Sequence, residues 1–211
     1  MTAFAPVTAV SYPVATLLAA PSLPASDLKE LQALVKKEGP DKRTFASPDP
    51  GSRLTAERIF EKAGIKLLNV PYKGAASFVG DISAGRVDTG LASVTSGLSL
   101  INAGKLKSLG IMGTQRIPAL PNVATFKEQG FSGLDENSWA GLFAPAGTPP
   151  EIVAKLNAEL RKIIDNPEIK AKIATLGFEA FSSSSADLNE HVKVQLVKWT
   201  KMIKEAGIEP E

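Results

Sequence analysis

Cysteine is absent from all 211 residues, which removes disulfides, zinc–thiolate sites and thiol nucleophiles. Histidine is almost absent: His191 stands alone, so a hydrolytic triad would have to rest on that one ring. No Gly-x-Ser-x-Gly elbow, His-Glu-x-x-His helix or Walker loop occurs. Carboxylates do not cluster, and Asp81 and Asp88 fall on different elements, without the paired setting that drives pKa values apart. These gaps argue against an enzyme and against a metal site or bound cofactor. Neither sign of charge dominates, since 24 basic and 22 acidic residues leave a net +2. No Lys/Arg cluster is interleaved with aromatics, so a nucleic-acid partner is not expected; Lys36-Lys37 reads as a solvated helix flank. Long apolar runs are missing as well. The stretch from Val14 to Ala20 falls far short of the roughly 20 residues that span a bilayer. Pro6, Pro13 and Pro21 interrupt the apolar start and no basic residue precedes Lys29, so an export signal is not expected there and buried strands of a mixed sheet are.

What is present suits a globular α/β chain. Apolar residues make up 44% and charged residues 22%, enough for one large core or two modest ones. Ser26 ahead of Leu28, Leu31, Leu34 and Val35, with Gly39 beyond, predicts a capped helix. Thr148-Pro149-Pro150-Glu151 reads as a capping box feeding Ile152, Val153, Leu156, Leu160 and Ile163. Asn166-Pro167 restarts a shorter helix that stops at Gly177. Ser184 with Asp187 opens a last one, striped by Leu188, Val192, Leu196, Trp199 and Ile203 and ended by Gly207. Between about residue 40 and 145, short β-like runs (Thr44–Ala46, Leu67–Val70, Val87–Ala92, Leu106–Met112, Trp139–Phe143) alternate with helical patterns. That alternation predicts a mostly parallel sheet flanked by helices, an α/β lobe over residues 1–145, and a helical segment over 146–211.

One βαβ unit carries polar groups at its turns, the usual place for a ligand in an open α/β sheet. It contains Val70-Pro71-Tyr72-Lys73-Gly74, then Phe78-Val79-Gly80-Asp81-Ile82, then Gly85-Arg86-Val87-Asp88. With these words the chain resembles the Bug family of extracytoplasmic solute receptors, the binding proteins of tripartite tricarboxylate transporters. The likeness continues collinearly through Phe4-Ala5-Pro6-Val7-Thr8, Ser47 to Ser52, Leu106 to Gly110, Arg116 with Leu120-Pro121-Asn122-Val123, Trp139 to Pro149, Lys198-Trp199 and Ala206-Gly207-Ile208. The resemblance implies a type II periplasmic-binding-protein fold and non-catalytic capture of a small organic acid. It also implies membrane transporter subunits as partners and a periplasmic location. Members of that family are longer at the amino terminus, where they carry the export signal and a Gly-rich loop of lobe one. The helical segment 146–211 would then complete lobe one, its amphipathic faces exposed unless another chain, such as a second copy, covers them.

The candidate ligand-binding residues are Ser47, Asp49, Gly51, Ser52, Tyr72, Lys73, Thr95 and Ser96. A strand, a Gly-containing turn and a helix start around Ser47–Ser52 aim backbone N–H groups at one point, which suits a carboxylate. On the residues alone, an ordinary Pro-Gly turn with Ser52 as N-cap explains the loop better; the resemblance makes it a carboxylate clamp. Asp49 would repel a carboxylate unless it turns away or meets an amine. Tyr72 can donate a hydrogen bond and Lys73 can balance an anion, or they form a packed ring and a solvated turn. Thr95 and Ser96 follow a strand and serve a ligand or cap a helix. Asn137 and Trp139 fall where the chain crosses between lobes, Trp139 as a core or hinge aromatic; Arg86 and Arg116 read as solvated turn residues. Two alternatives stand beside the receptor: a truncated relative with weak or no binding, and a small α/β enzyme.

Overall fold

The computed structural model describes residues 3–134 and 138–205. In chain order the elements are β1 (Phe4–Pro13), β2 (Ala15–Ala19), α1 (Leu28–Glu38), β3 (Thr44–Ser47) and α2 (Pro50–Lys62). Next come β4 (Leu68–Pro71), α3 (Ala75–Ser83), β5 (Thr89–Ser93), α4 (Val94–Asn102) and β6 (Lys107–Ile111). The chain continues with β7 (Ala140–Pro145), α5 (Pro150–Ile164), α6 (Pro167–Thr175), β8 (Phe178–Ala180) and α7 (Ser185–Glu205). Asn137 and the Ala206-Gly207-Ile208 motif, with the helix stop expected at Gly207, lie outside the described residues.

Packing divides the chain into two compact units. The larger holds Pro13–Ser138 and Ala174–Phe178; the smaller holds the chain before Pro13, Trp139–Ile173 and the chain from Glu179 on. A single cut near residue 145 does not separate them, because β1 pairs antiparallel with β7, Phe4 opposite Pro145 and Thr8 opposite Leu142.

In the larger unit the sheet order is β4-β3-β5-β2-β6. Strand β3 runs parallel to β4 and β5, while β2 runs antiparallel to β5 and β6. Four strands therefore share one direction, and β2 alone opposes them. The expected parallel texture holds for strands joined by helices. Strand β2, in the stretch expected to give strands of a mixed sheet, runs the other way: it follows β1 after only Val14, with no crossover helix between them. Leu17 and Leu18 point to opposite faces of β2 and both are fully buried, so both faces of the sheet are covered. Leu28, Leu31 and Val35 of α1, Ile59 and Phe60 of α2, and Phe78 and Ile82 of α3 join them in one core. A side chain at Gly90 of β5 would meet Ile82 Cδ1 at 2.8 Å and Phe78 Cε2 at 2.9 Å, so that glycine lets α3 lie close on the sheet.

Local chemistry moves several predicted boundaries. Asp27, not Ser26, caps α1: it accepts from Glu30 N–H at 2.8 Å, and Glu30 reaches back to Ser26 N–H at 2.7 Å. Thr148 does not cap α5, because its hydroxyl donates to Pro145 O at 2.8 Å; Pro150 does open the helix. The Ser184–Asp187 cap forms as expected, with Asp187 N–H donating to Ser184 Oγ at 3.0 Å. Strand β5 begins at Thr89 rather than Val87, since Asp88 is used as a clasp. Its Oδ2 accepts from both Thr44 N–H and Thr44 hydroxyl at 2.8 Å, and its Oδ1 accepts from Arg43 at 2.9 Å. The clasp pins the amino ends of β3 and β5 side by side. Glu38 completes it: the Arg43 guanidinium holds the Glu38 carboxyl below its ordinary range.

The smaller unit is a three-stranded sheet of order β7-β1-β8 with α7 on one face. Ala9, Leu188 and Val192 form its core, with Trp139 and Phe143 packed against them. The predicted α7 stripe breaks at Leu196, which is 55% exposed.

Candidate functional site

Strands β3, β4 and β5 are neighbours pointing one way, and each feeds a helix at its carboxyl end. Ser47 leads into α2, Pro71 into α3 and Ser93 into α4, so three helix amino termini gather along one edge of the sheet. Their unpaired N–H groups and positive dipole ends make that edge the electropositive one. Strand β2 opposes the others, so its start reaches the same edge with Ala15 opposite Ser93. Val14 O accepts from Val94 N–H at 2.8 Å, locking the first turn of α4 to the sheet.

The three helix ends differ in charge. At α2, Asp49 is the N-cap: its Oδ1 accepts from Ser52 N–H at 2.8 Å and its Oδ2 from Ser52 hydroxyl at 2.7 Å. The capping residue is thus Asp49 rather than Ser52, and both side chains are spent on each other. Pro50 takes the first helical position, and Gly51 follows with no side chain of its own. At α3 the cap is Gly74, with φ of +86° and no side-chain cap bond. At α4 the cap is Ser93. Its hydroxyl does not cap backbone; it meets Thr95 Oγ1 at 2.8 Å and Ser96 Oγ at 2.9 Å. One end is closed by a carboxylate; two are left without a side-chain cap.

Ser47 is buried at the end of β3, its hydroxyl donating to Asn69 Oδ1 at 2.7 Å and its carbonyl accepting from Tyr72 N–H at 2.9 Å. Tyr72 does not present a free phenol. Its hydroxyl donates to Asp81 Oδ2 at 2.7 Å, and its ring packs edge-on against Phe78 at 5.9 Å. Arg86 donates to the other Asp81 oxygen at 2.5 Å, so this exposed turn residue is also an ion-pair partner. Tyr72 and then Arg86 hold the Asp81 carboxyl below its ordinary range, and the bond to Asp81 pushes the Tyr72 phenol up. Arg116 likewise pairs with Glu128 at 3.0 Å. Lys73 is exposed beside Gly74, and no described residue forms an ion pair with it.

The structure thus brings Ser47, Asp49, Gly51, Ser52, Tyr72, Lys73, Thr95 and Ser96 to one sheet edge, and all eight belong to the larger unit. Sequence reasoning passed over Ser93, the centre of the hydroxyl trio, although a Ser just before a helical run with hydroxyls two and three places on is an N-cap signal. It also passed over Asn69 and the clasp and brace roles of Asp88 and Asp81. The segment carrying Gly177 reaches the same edge: Gly177 O accepts from Val14 N–H at 3.2 Å, and a side chain there would lie 3.6 Å from Thr95 N. His191 belongs to the smaller unit, edge-on to Trp139 at 5.0 Å, with Nε2 buried and unpaired. Among the described residues no group of three acidic or histidine side chains could hold a metal ion, and no helix is long and apolar enough to cross a membrane.

Known proteins share this fold. The chain is 36% identical over 185 residues to a UPF0065 protein of a Pseudomonas species, covering 85% of this chain and 55% of that one. It is 29% identical over 208 residues to a UPF0065 protein of Bordetella pertussis, covering 98% and 64%. The chain therefore spans between half and two thirds of these relatives. Among solved structures, an R. palustris protein with adipate superposes with a TM-score of 0.88 at 29% identity, covering 100% of this chain and 71% of that one. The periplasmic binding protein BugD gives 0.82 at 32% identity, covering 99% and 71%. MatC from Rhodopseudomonas palustris with bound malate gives 0.79 at 27%, covering 95% and 69%. The sequence profile of the TctC family matches residues 2–208, and the chain belongs to that family of tripartite tricarboxylate transporter receptors.

Proposed function

We propose that the chain captures a small organic carboxylate at the edge where β3, β4 and β5 end, without transforming it. The observation that carries this reading is the pair of helix starts at α3 and α4 that no side chain caps, the second bearing the Ser93–Thr95–Ser96 hydroxyls. Backbone N–H groups at a helix start, with hydroxyls that can turn to donate, are donors a carboxylate accepts from, and the dipole favours its charge. Lys73 adds an exposed cation at the rim. Ser47 shapes the floor, Tyr72 braces the turn, and Gly51 adds no side chain beside the Asp49 cap. Adipate and malate in two similar proteins support the substrate class. Membership in that receptor family supports delivery to membrane transporter subunits and a periplasmic location.

Isothermal titration with adipate, malate and a neutral diol of matched length tests the reading. Saturable heat with a diacid and none with the diol is expected. Replacing Thr95 by Val and Ser96 by Ala should weaken that binding at least tenfold, ~1.4 kcal/mol, with the melting temperature nearly unchanged. Silence towards every acid from folded protein would favour the second reading, a relative that folds but binds weakly. The share of the relatives' length that the chain spans is what keeps that reading open.

A further inference from the structure

One segment from far along the chain reaches the candidate edge. Ala174–Phe178 is counted with the larger unit, while the residues on either side of it belong to the smaller. Gly177 anchors it. The Gly177 carbonyl accepts from Val14 N–H at 3.2 Å, and Val14 O in turn accepts from Val94 N–H at 2.8 Å. A relay of two backbone bonds thus runs from Gly177 through Val14 to the first residue of α4. Gly177 is buried, and its φ of +80° is one that residues with a side chain rarely adopt. Space is short as well. A Cβ at Gly177 would stand 2.8 Å from Val94 Cγ1 and 3.0 Å from Val94 Cβ, with Thr95 N next at 3.6 Å. Val94 has no room to step back, because it is fully buried in a cluster with Val14, Ile111, Ile117 and Leu120. A side chain at 177 therefore pushes on the first turn of α4. The push falls on the Thr95 amide, one of the opening N–H groups for which a helix holds no acceptor of its own.

We propose that Gly177 is a positioning residue of the carboxylate site: its bare backbone lets the start of α4 stand against the 174–178 segment, and so sets where the Thr95 and Ser96 donors meet a ligand. The inference rests on the carboxylate reading above and extends that site to a segment outside the three strand–helix turns. Gly177 itself touches no ligand; it acts through Val94.

The test has a ligand-free arm and a ligand arm, both on the full chain. In amide-resolved NMR spectra without ligand, Gly177→Ala should displace the Thr95 and Ser96 resonances. Adding Val94→Ala, which removes the nearer clashing atom, should bring them most of the way back. In titration calorimetry with adipate, Gly177→Ala should weaken binding roughly tenfold, and the double variant should recover to within about threefold of the parent. Leu31→Ala empties a buried position of α1 and lowers the melting temperature, yet should leave affinity within about threefold. If Gly177→Ala does not fold, Gly177→Asn adds the same Cβ with less backbone strain and carries the same expectations. Parent-like affinity in the Gly177 variant would overturn the proposal. So would a loss that Val94→Ala does not repair, or an equal loss in Leu31→Ala, which would make it an effect of stability alone. A parent silent towards every acid would instead remove the carboxylate reading, and the role of Gly177 with it, whatever the amides show.

Discussion

Asp49 and Asp81 show how little a residue's type says about its task. Both are carboxylates at the edge read as anion-binding, and each is committed elsewhere: Asp49 caps α2, while Asp81 braces Tyr72 and Arg86. Asp49→Ala should cost about 0.5–2 kcal/mol through the lost cap, read as a shift of the urea midpoint. Asp49→Asn keeps a capping oxygen and removes the charge, so stability should hold while carboxylate affinity rises severalfold by titration calorimetry. The Asp81 brace should respond to acid. Its carboxyl is lowered in the folded state, so the stability it contributes is present above the unfolded carboxylate pKa, about 3.9, and is lost as pH falls through the folded value. Asp81→Asn should therefore melt below the parent near pH 7, with the gap closing below about pH 4 when melting temperatures are compared across pH. A gap independent of pH would show that the ion pair and hydrogen bond are not its cause.

Elements were legible where pattern and caps agree. Helix α1 is marked by Leu28, Leu31 and Val35, and β3, β4 and β6 were found within a residue or two because apolar runs stop at Pro or Gly. The direction of β2 was not legible, since parallel or antiparallel pairing depends on partners far along the chain and leaves no local mark. The exact caps were missed for a different reason. At 26–27 and 47–52 several Ser and Asp residues compete, and the winner is set by which side chain reaches the third amide. The candidate edge was legible through its turns, but not the pairings that occupy Tyr72 and Asp49. At this scale the close approach of α3 to β5 is the most testable contact. Gly90→Ala drives a methyl against Ile82 and Phe78 and should cost about 1–3 kcal/mol in chemical denaturation. Phe78→Ala, which empties the same contact, should cost about 3–5 kcal/mol.

Across the molecule, stability should be uneven. The larger unit holds most of the buried apolar residues, so its amides should exchange only by its global unfolding, while α5 and α7 open at lower free energy. Hydrogen exchange resolved by peptide should show that split, and equal protection in both units would contradict it. The pairing of β1 with β7 adds a consequence for synthesis. All five strands of the larger sheet have left the ribosome once Ile111 emerges, so that sheet can assemble during translation. Strand β1, ten residues long and made before any of them, must wait for Ala140–Pro145 before its edge is matched. Until those residues are made, the edge that β7 will occupy keeps its backbone groups open. Its early prolines, Pro6 and Pro13, sit where they blunt pairing with a neighbouring nascent chain.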